Sequence, residues 1–324
     1  MSYHVTILQS DLSDTDIEEE IFANANYDYD ISTPDPTTES ELIESAKKSD
    51  ALMLQYREMN EAVISSLPNL KIISRYGIGV DCIDIDAAND CNVAVTNVPS
   101  YCEEEVATHT ISMILNSIRK LSTYDVEVKN GCWDWKKNRP IKKVSETTLG
   151  FMGFGKIPRK ILELVAGFDF NCITYDPYIQ ENVISTYPVE RVSWNELLTQ
   201  SDIISIHSPL NSETENKFDV KAFKSMKSQA VIINTARGGI VNEQELGEAI
   251  KMGEIAGAGI DVMSTEPPQS SPLKQIESVT ITPHMAWYSE SSLDKLRRRT
   301  AENIILFFEG DYPHGFVNED YISV

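Results

Sequence analysis

Four short apolar runs between residues 203 and 284 restrict the chain to an open sheet of buried parallel strands. Each run passes directly into residues that can handle a cofactor or a proton. Ile203-Ile204-Ser205-Ile206 leads to His207, and Ala230-Val231-Ile232-Ile233 leads to Asn234-Thr235-Ala236-Arg237. Ala256-Gly257-Ala258-Gly259-Ile260 leads to Asp261, and Val279-Thr280-Ile281-Thr282 to Pro283-His284. Continuous apolar runs of this kind suit strands covered on both faces. Ligands of such sheets sit beyond the carboxyl ends of the strands, so the polar residues of all four segments are expected around one site.

A strand candidate upstream says what that site binds. Thr148-Leu149-Gly150-Phe151-Met152 runs into Gly153-Phe154-Gly155-Lys156-Ile157-Pro158, and helical apolar spacing follows at Ile157, Ile161, Leu164 and Val165. Strand, glycine turn and helix in this order form the context of a dinucleotide fingerprint. Gly153 permits the turn, Gly155 lets backbone N–H groups approach a pyrophosphate, and the helix N-terminus at Lys156 and Ile157 favours its charge. A lone Gly-x-Gly is more often a plain turn, so the next strand candidate, Asn171-Cys172-Ile173-Thr174-Tyr175, matters. It ends in Asp176, about 20 residues past the glycines, where a carboxylate accepts bonds from ribose hydroxyls. Only Pro177 and Tyr178 follow; with no arginine there for a 2′-phosphate, NAD is favoured over NADP. Pro158 departs from the small residue usual at the third fingerprint position, but proline is tolerated in a first helical turn.

The first hundred residues carry a βα series of their own. Strand candidates at 5–8, 27–31, 51–54, 71–74 and 93–96 alternate with helical segments at 16–23, 39–47, 61–67 and 85–89. A second series starts at Thr148, residues 103–129 keep one long helical period, and a last helix covers 289–309. With 324 residues, two domains are expected. No apolar run approaches the ~20 residues of a membrane span, and the opening residues read as a strand without a basic, apolar leader; a cytoplasmic chain is expected. The net charge of −22 argues against nucleic acid or an anionic membrane as partner. Cys82, Cys91, Cys102, Cys132 and Cys172 are scattered, with no Cys-x-x-Cys, so neither a disulfide framework nor a metal site is expected.

Taken in order, these segments resemble the D-isomer-specific 2-hydroxyacid dehydrogenases over nearly the whole chain. The matching residues are Tyr76-Gly77-Ile78-Gly79-Val80-Asp81, Asn97-Val98-Pro99 with Glu104-Glu105-Val106-Ala107-Thr108-His109, Gly153-Phe154-Gly155, and His207-Ser208-Pro209-Leu210. They continue with Asn234-Thr235-Ala236-Arg237-Gly238-Gly239, Gly259-Ile260-Asp261-Val262 with Glu266-Pro267, and Thr282-Pro283-His284. Met285-Ala286-Trp287-Tyr288 and Asp176-Pro177-Tyr178 look closest to the C-terminal-binding-protein branch, which holds both dehydrogenases and corepressors. The resemblance implies an α/β protein in which a Rossmann dinucleotide-binding domain (101–287) is inserted in a flavodoxin-like parallel α/β substrate domain (1–100 and 288–324). It also implies a homodimer formed through the inserted domain. By resemblance, Asp261 falls to the nicotinamide end of the cofactor, and His207, Ser208, Pro209, Asn211, Thr235 and Ala236 to its adenosine and ribose flank, with His284 and Trp287 also beside it.

Reducing a 2-oxoacid requires a cation for the carboxylate and ketone, a proton donor and a hydride source. Arg237 suits the first task, because a guanidinium binds a carboxylate in bidentate fashion and stays charged. His284 suits the second, since a histidine's ordinary pKa of about 6.5 lets it give and take a proton near neutrality. Glu266 would orient that imidazole and favour its protonated form. The turn Gly77-Ile78-Gly79 offers backbone N–H groups to the substrate carboxylate, while Gln55, Tyr76 and Trp287 are candidate pocket residues. For His109 and His207, structural hydrogen bonding is at least as good a reading as chemistry. The expected activity is reversible, NAD-dependent reduction of a small 2-oxoacid to its D-2-hydroxy acid, of the D-lactate or D-glycerate type. The reading from another class is an NAD(H)-sensing, partner-binding protein of the corepressor kind.

Overall fold

The computed structural model describes residues 2–8 and 14–321. Its chain divides into two compact units, Met1–Tyr101 with Ser289–Val324, and Cys102–Tyr288.

In the first unit the order is β1 (Ser2–Ile7), α1 (Asp16–Ala23), β2 (Asp28–Ser32), α2 (Glu39–Ala46), β3 (Ala51–Leu54), α3 (Glu61–Ser65), β4 (Ile72–Arg75), α4 (Ile85–Asp90) and β5 (Ala94–Thr96). All four strand pairings are parallel, in the order β2-β1-β3-β4-β5, which is the flavodoxin-like doubly wound arrangement. All four residues of β3 are buried, as a central strand sandwiched between helices requires. Leu52, Leu54, Ile64, Ile73 and Ala88 pack together on one face. Helix starts follow local chemistry: Thr38 and Glu41 close a capping box on α2, and Asp84 accepts the Ala87 N–H at the start of α4.

The second unit opens on α5 (Glu103–Arg119) and α6 (Leu121–Lys129), then runs β6 (Thr148–Met152), α7 (Lys156–Val165), β7 (Asn171–Tyr175), α8 (Glu181–Ile184), β8 (Glu190–Arg191), α9 (Trp194–Gln200), β9 (Ile203–Ile206), α10 (Val220–Ser225), β10 (Val231–Asn234), α11 (Glu243–Met252), β11 (Gly257–Ile260) and β12 (Val279–Ile281). Its parallel sheet has the order β12-β11-β10-β9-β6-β7-β8. Counted from β6 as first strand this is 3-2-1-4-5-6-7, a Rossmann sheet with one further strand, and its order reverses between β6 and β9. That switch point is where a dinucleotide crevice forms. The last helix, α12 (Glu290–Glu309), belongs to the first unit and starts at the side-chain cap of Ser289.

The long helical period of residues 103–129 is not one helix. Lys120 takes a left-handed conformation at φ 54°, the Asn116 Oδ1 accepts the Ser122 N–H at 2.9 Å, and the Lys120 ammonium donates to the Asn138 carbonyl at 2.9 Å. Side-chain bonds to the backbone thus replace the helical ladder at that point. The two-residue strand β8 escapes sequence reading because both its residues are exposed and carry no apolar pattern. Pro158 lies buried in the first turn of α7 without breaking it. No helix among the described residues is long and apolar enough to cross a membrane.

Candidate active site

At the switch point Gly153 has φ +92°, and a Cβ there would lie 2.8 Å from the His207 carbonyl and 2.9 Å from the Ser208 hydroxyl. Only glycine allows the turns after β6 and β9 to approach this closely. Gly155 caps α7 with open space where its side chain would be, so N–H groups of the first helical turn can meet a pyrophosphate. Asp176 ends β7 as expected. Its Oδ2 accepts the Phe154 N–H at 2.8 Å and its Oδ1 those of Tyr178 and Ile179 at 2.9 and 3.1 Å. The carboxylate therefore ties the glycine turn to the strand end. An open glycine turn, a helix N-terminus and a placed carboxylate together fit a dinucleotide.

Other residues expected on this flank make the following contacts within the protein. Lys156 is exposed and pairs with Glu103 at 3.6 Å, while the Ile157 side chain packs on the core, leaving its N–H for the site. The Nε2 of His207 is 2.8 Å from the Ser205 hydroxyl, and burial pushes its pKa down to about 3, so the ring stays neutral. Ser208 donates to the Met152 carbonyl at 3.2 Å, and Pro209 is exposed. The Asn211 Oδ1 accepts the Glu213 and Thr214 N–H groups, which shapes its own loop.

The chemical end lies on the loops after β10, β11 and β12. His284 Nδ1 is 2.6 Å from Glu266 Oε2, and Glu266 Oε1 accepts the Met263 N–H at 2.7 Å. Burial pushes the Glu266 carboxyl up, but the hydrogen bond and charge of His284, the Met263 N–H and the Arg237 guanidinium outweigh it and hold its pKa below the usual carboxylate value. Arg237 is half-buried, with Nη1 donating to the Ala236 carbonyl at 2.7 Å. The residue after it is Gly238, where a Cβ would fall 2.0 Å from the Met263 carbonyl carbon. This glycine lets the Arg237 loop press against the backbone leading to Glu266. The structure thus brings Arg237, Glu266 and His284 together at adjacent strand ends.

His284 sits at φ 51°, a conformation costing about 1–3 kcal/mol for a non-glycine residue. Its N–H donates to the Asp261 carbonyl at 2.8 Å, and the next two N–H groups, of Met285 and Ala286, reach the Asp261 carboxylate at 3.0 Å each. Asp261 is buried and also receives the Thr282 hydroxyl. The Asp261 carboxylate thus holds the turn that presents His284. Thr235 Oγ1 meets Thr110 Oγ1 at 2.9 Å, and Trp287 is half-buried against Tyr288.

In the first unit, Tyr76 corrects the sequence reading. Its side chain is buried, and its hydroxyl donates to Glu18, itself buried and paired with Arg297 at 2.5 Å; a phenol so engaged is core rather than pocket wall. Gln55 is buried with its amide on the Tyr56 hydroxyl. The carbonyls of Gly77 and Ile78 accept from Val98 N–H and Asn97 Nδ2, so the N–H groups of Gly77-Ile78-Gly79 are what that turn can offer.

Two residues were passed over. Asn234, buried at the end of β10, accepts the Ala236 N–H at 3.0 Å and donates to the Arg237 carbonyl at 2.9 Å, which fixes the arginine loop. A lone amide closing an apolar strand before an arginine was the available signal. Arg75, just before the glycine turn, donates from Nε to the Gln55 carbonyl at 3.2 Å. No group of three or more His, Cys, Asp or Glu residues that could hold a metal occurs among the described residues.

Comparisons with known proteins agree with this geometry. Residues 111–286 match the family model described as D-isomer specific 2-hydroxyacid dehydrogenase, NAD binding domain. The chain is 34% identical over 283 residues to D-3-phosphoglycerate dehydrogenase of Methanocaldococcus jannaschii, covering 87% of this chain but 54% of that protein, about half its length. It is 32% identical over 294 residues to glyoxylate reductase of Korarchaeum cryptofilum, covering 89% of each. The structure of D-lactate dehydrogenase from Aquifex aeolicus complexed with NAD and lactic acid superposes with a TM-score of 0.85 at 27% identity, over 97% of this chain and 98% of that one. The chain belongs to the D-isomer specific 2-hydroxyacid dehydrogenase family.

Proposed function

We propose that the protein reduces a small 2-oxoacid to the D-2-hydroxy acid with NADH, reversibly, and that the 2.6 Å contact of His284 Nδ1 with Glu266 carries this reading. With Nδ1–H held by the carboxylate, Nε2 is the nitrogen that delivers a proton to the ketone oxygen and recovers it in the reverse direction. Arg237 binds the substrate carboxylate through its guanidinium fork and polarises the adjacent ketone. Glu266 keeps the imidazole in register and stabilises its positive charge. The hydride would come from NADH when it is bound. The N–H groups at the start of α7 and the Asp176 carboxylate hold and orient the dinucleotide at pyrophosphate and ribose, and Asp176 disfavours a 2′-phosphate.

The unit Cys102–Tyr288 is proposed as the cofactor domain and the other unit as the substrate domain, whose Gly77-Ile78-Gly79 turn supplies N–H donors to a carboxylate. Glyoxylate, pyruvate and hydroxypyruvate, small acids with no charge beyond the carboxylate, are the favoured substrates; the relatives named for phosphoglycerate, glyoxylate and lactate bracket this class. The protein is also proposed to be a homodimer, a reading supported by the exposed Trp133 and Trp135 that follow α6.

The test is loss of NADH absorbance against glyoxylate, pyruvate, hydroxypyruvate, phenylpyruvate and 4-methylthio-2-oxobutyrate, with NADPH as control. Turnover of one small acid, with NADH preferred, supports the reading. Tight NADH binding without turnover of any acid overturns it in favour of cofactor-dependent partner binding.

A further inference from the structure

We propose that His109, on helix α5, is a positioning residue for this reaction: it holds the Thr282–Asp261 pair that fixes the turn bearing His284. The inference rests on His284 as the proton carrier. His109 Nε2 lies 3.0 Å from Thr282 Oγ1 and 3.6 Å from Asp261 Oδ1, with 19% of its side chain exposed. Thr282 donates its hydroxyl to Asp261 Oδ1, the oxygen that also takes the Met285 N–H, while Oδ2 takes the Ala286 N–H.

A hydroxyl has one hydrogen, and here it points at the carboxylate. The contact with His109 is therefore donated by the imidazole, so Nε2 carries a hydrogen. The result is a directed chain from His109 through Thr282 to Asp261, in which each bond polarises the next. Asp261 is 1% exposed, and a carboxylate buried so deeply needs every donor. Removing the first link lets the Thr282 hydroxyl rotate, loosens the carboxylate and frees the two N–H groups that hold His284 at positive φ.

Helix α5 is a firm base for this clamp. Thr110 bonds Thr235 Oγ1 at the end of β10, and Asn116 donates to Thr280 Oγ1 on β12 at 2.9 Å. One helix therefore sets the loops carrying both Arg237 and His284.

The test compares His109→Leu, His109→Gln and Thr282→Val, with His284→Gln as control. His109→Leu is expected to lower kcat about 10- to 100-fold, as small misplacements of catalytic groups do, with little change in KM or in NADH affinity. A glutamine amide can still donate to Thr282, so His109→Gln recovers most of kcat. The double variant His109→Leu with Thr282→Val loses no more than either single one. Hydrogen exchange of the Met285 and Ala286 amides, read by NMR on the protein alone, accelerates in His109→Leu and not in His109→Gln. Wild-type kcat in His109→Leu, additive losses, or unchanged exchange at both amides overturns the proposal. If the wild type turns over no 2-oxoacid, or His284→Gln stays active, the reading of His284 is what fails, and amide exchange still decides the role of His109.

Discussion

His284 Nδ1 and Glu266 Oε2 stand 2.6 Å apart, while the other oxygen of the same carboxylate is anchored by the Met263 N–H at 2.7 Å. The carboxylate cannot rotate away without giving up a backbone donor, so it fixes the imidazole plane as well as its charge. Replacing His284 by Gln is expected to lower kcat about 10²- to 10⁴-fold, the range of a lost general acid, with NADH affinity kept. Glu266→Gln keeps the shape and loses the charge, so its kcat should fall less. Equal activity of Glu266→Gln and wild type in steady-state assays would remove Glu266 from the mechanism.

Arg237 acts through the shape of its guanidinium as well as its charge. A lysine there keeps the charge but has a single donor head in place of the fork. Arg237→Lys is expected to lose about 3 kcal/mol of transition-state stabilisation, roughly 150-fold in kcat/KM. The loss should show with every 2-oxoacid tested, since all share the carboxylate. A variant impaired toward one acid alone would place Arg237 on the substrate's side chain.

Much of this is legible in the amino-acid sequence. Buried parallel strands announce themselves as continuous apolar runs, so β3, β6, β9 and β10 lie within a residue or two of their expected positions. Arg237, Glu266 and His284 each follow such a strand, and a parallel sheet brings all its carboxyl ends to one edge. What could not be read depends on side-chain direction. Tyr76 next to a glycine turn looks like a pocket residue until its hydroxyl is found on buried Glu18, a contact 58 positions away that no local pattern encodes. The break at Lys120 rests on the Ser122 N–H donating to Asn116 Oδ1 and the Lys120 ammonium donating to the Asn138 carbonyl rather than on a glycine or proline. Asn234 and Asp261 serve by holding the loops of Arg237 and His284, and such roles appear only when the backbone donors around them are seen.

Association should be governed by the large apolar side chains exposed on and just after α6. Trp133 is 89% exposed, Trp135 69%, Leu121 61% and Val126 51%, an unusual density of large apolar side chains facing water. Covering each is worth roughly 1.5–3 kcal/mol. Light scattering at micromolar protein is expected to give the dimer mass for the wild type and the monomer mass for the double variant Trp133→Asp with Trp135→Asp, with the fold retained by circular dichroism. A double variant that stays dimeric would move the interface elsewhere.

His207 should leave a signature in the pH dependence of stability. Burial at the end of β9 pushes its pKa down to about 3, against about 6.5 in an unfolded chain. Between those values the unfolded state binds a proton that the folded state does not. Stability therefore rises with pH across that window and is lost as pH falls below about 6.5, with a slope approaching 1.4 kcal/mol per pH unit from this one group. Carboxylates add their own acid sensitivity at lower pH, so the informative quantity is a difference between proteins. The urea midpoint of the wild type should drop more between pH 7.5 and pH 5 than that of His207→Gln, which has nothing to protonate. The glutamine can still bond the Ser205 hydroxyl that meets His207 Nε2 at 2.8 Å, so the two proteins should be closest in stability near neutral pH and diverge toward the acid end. Parallel midpoints over the whole range would mean that the imidazole takes up its proton in the folded protein and is not shielded at the strand end.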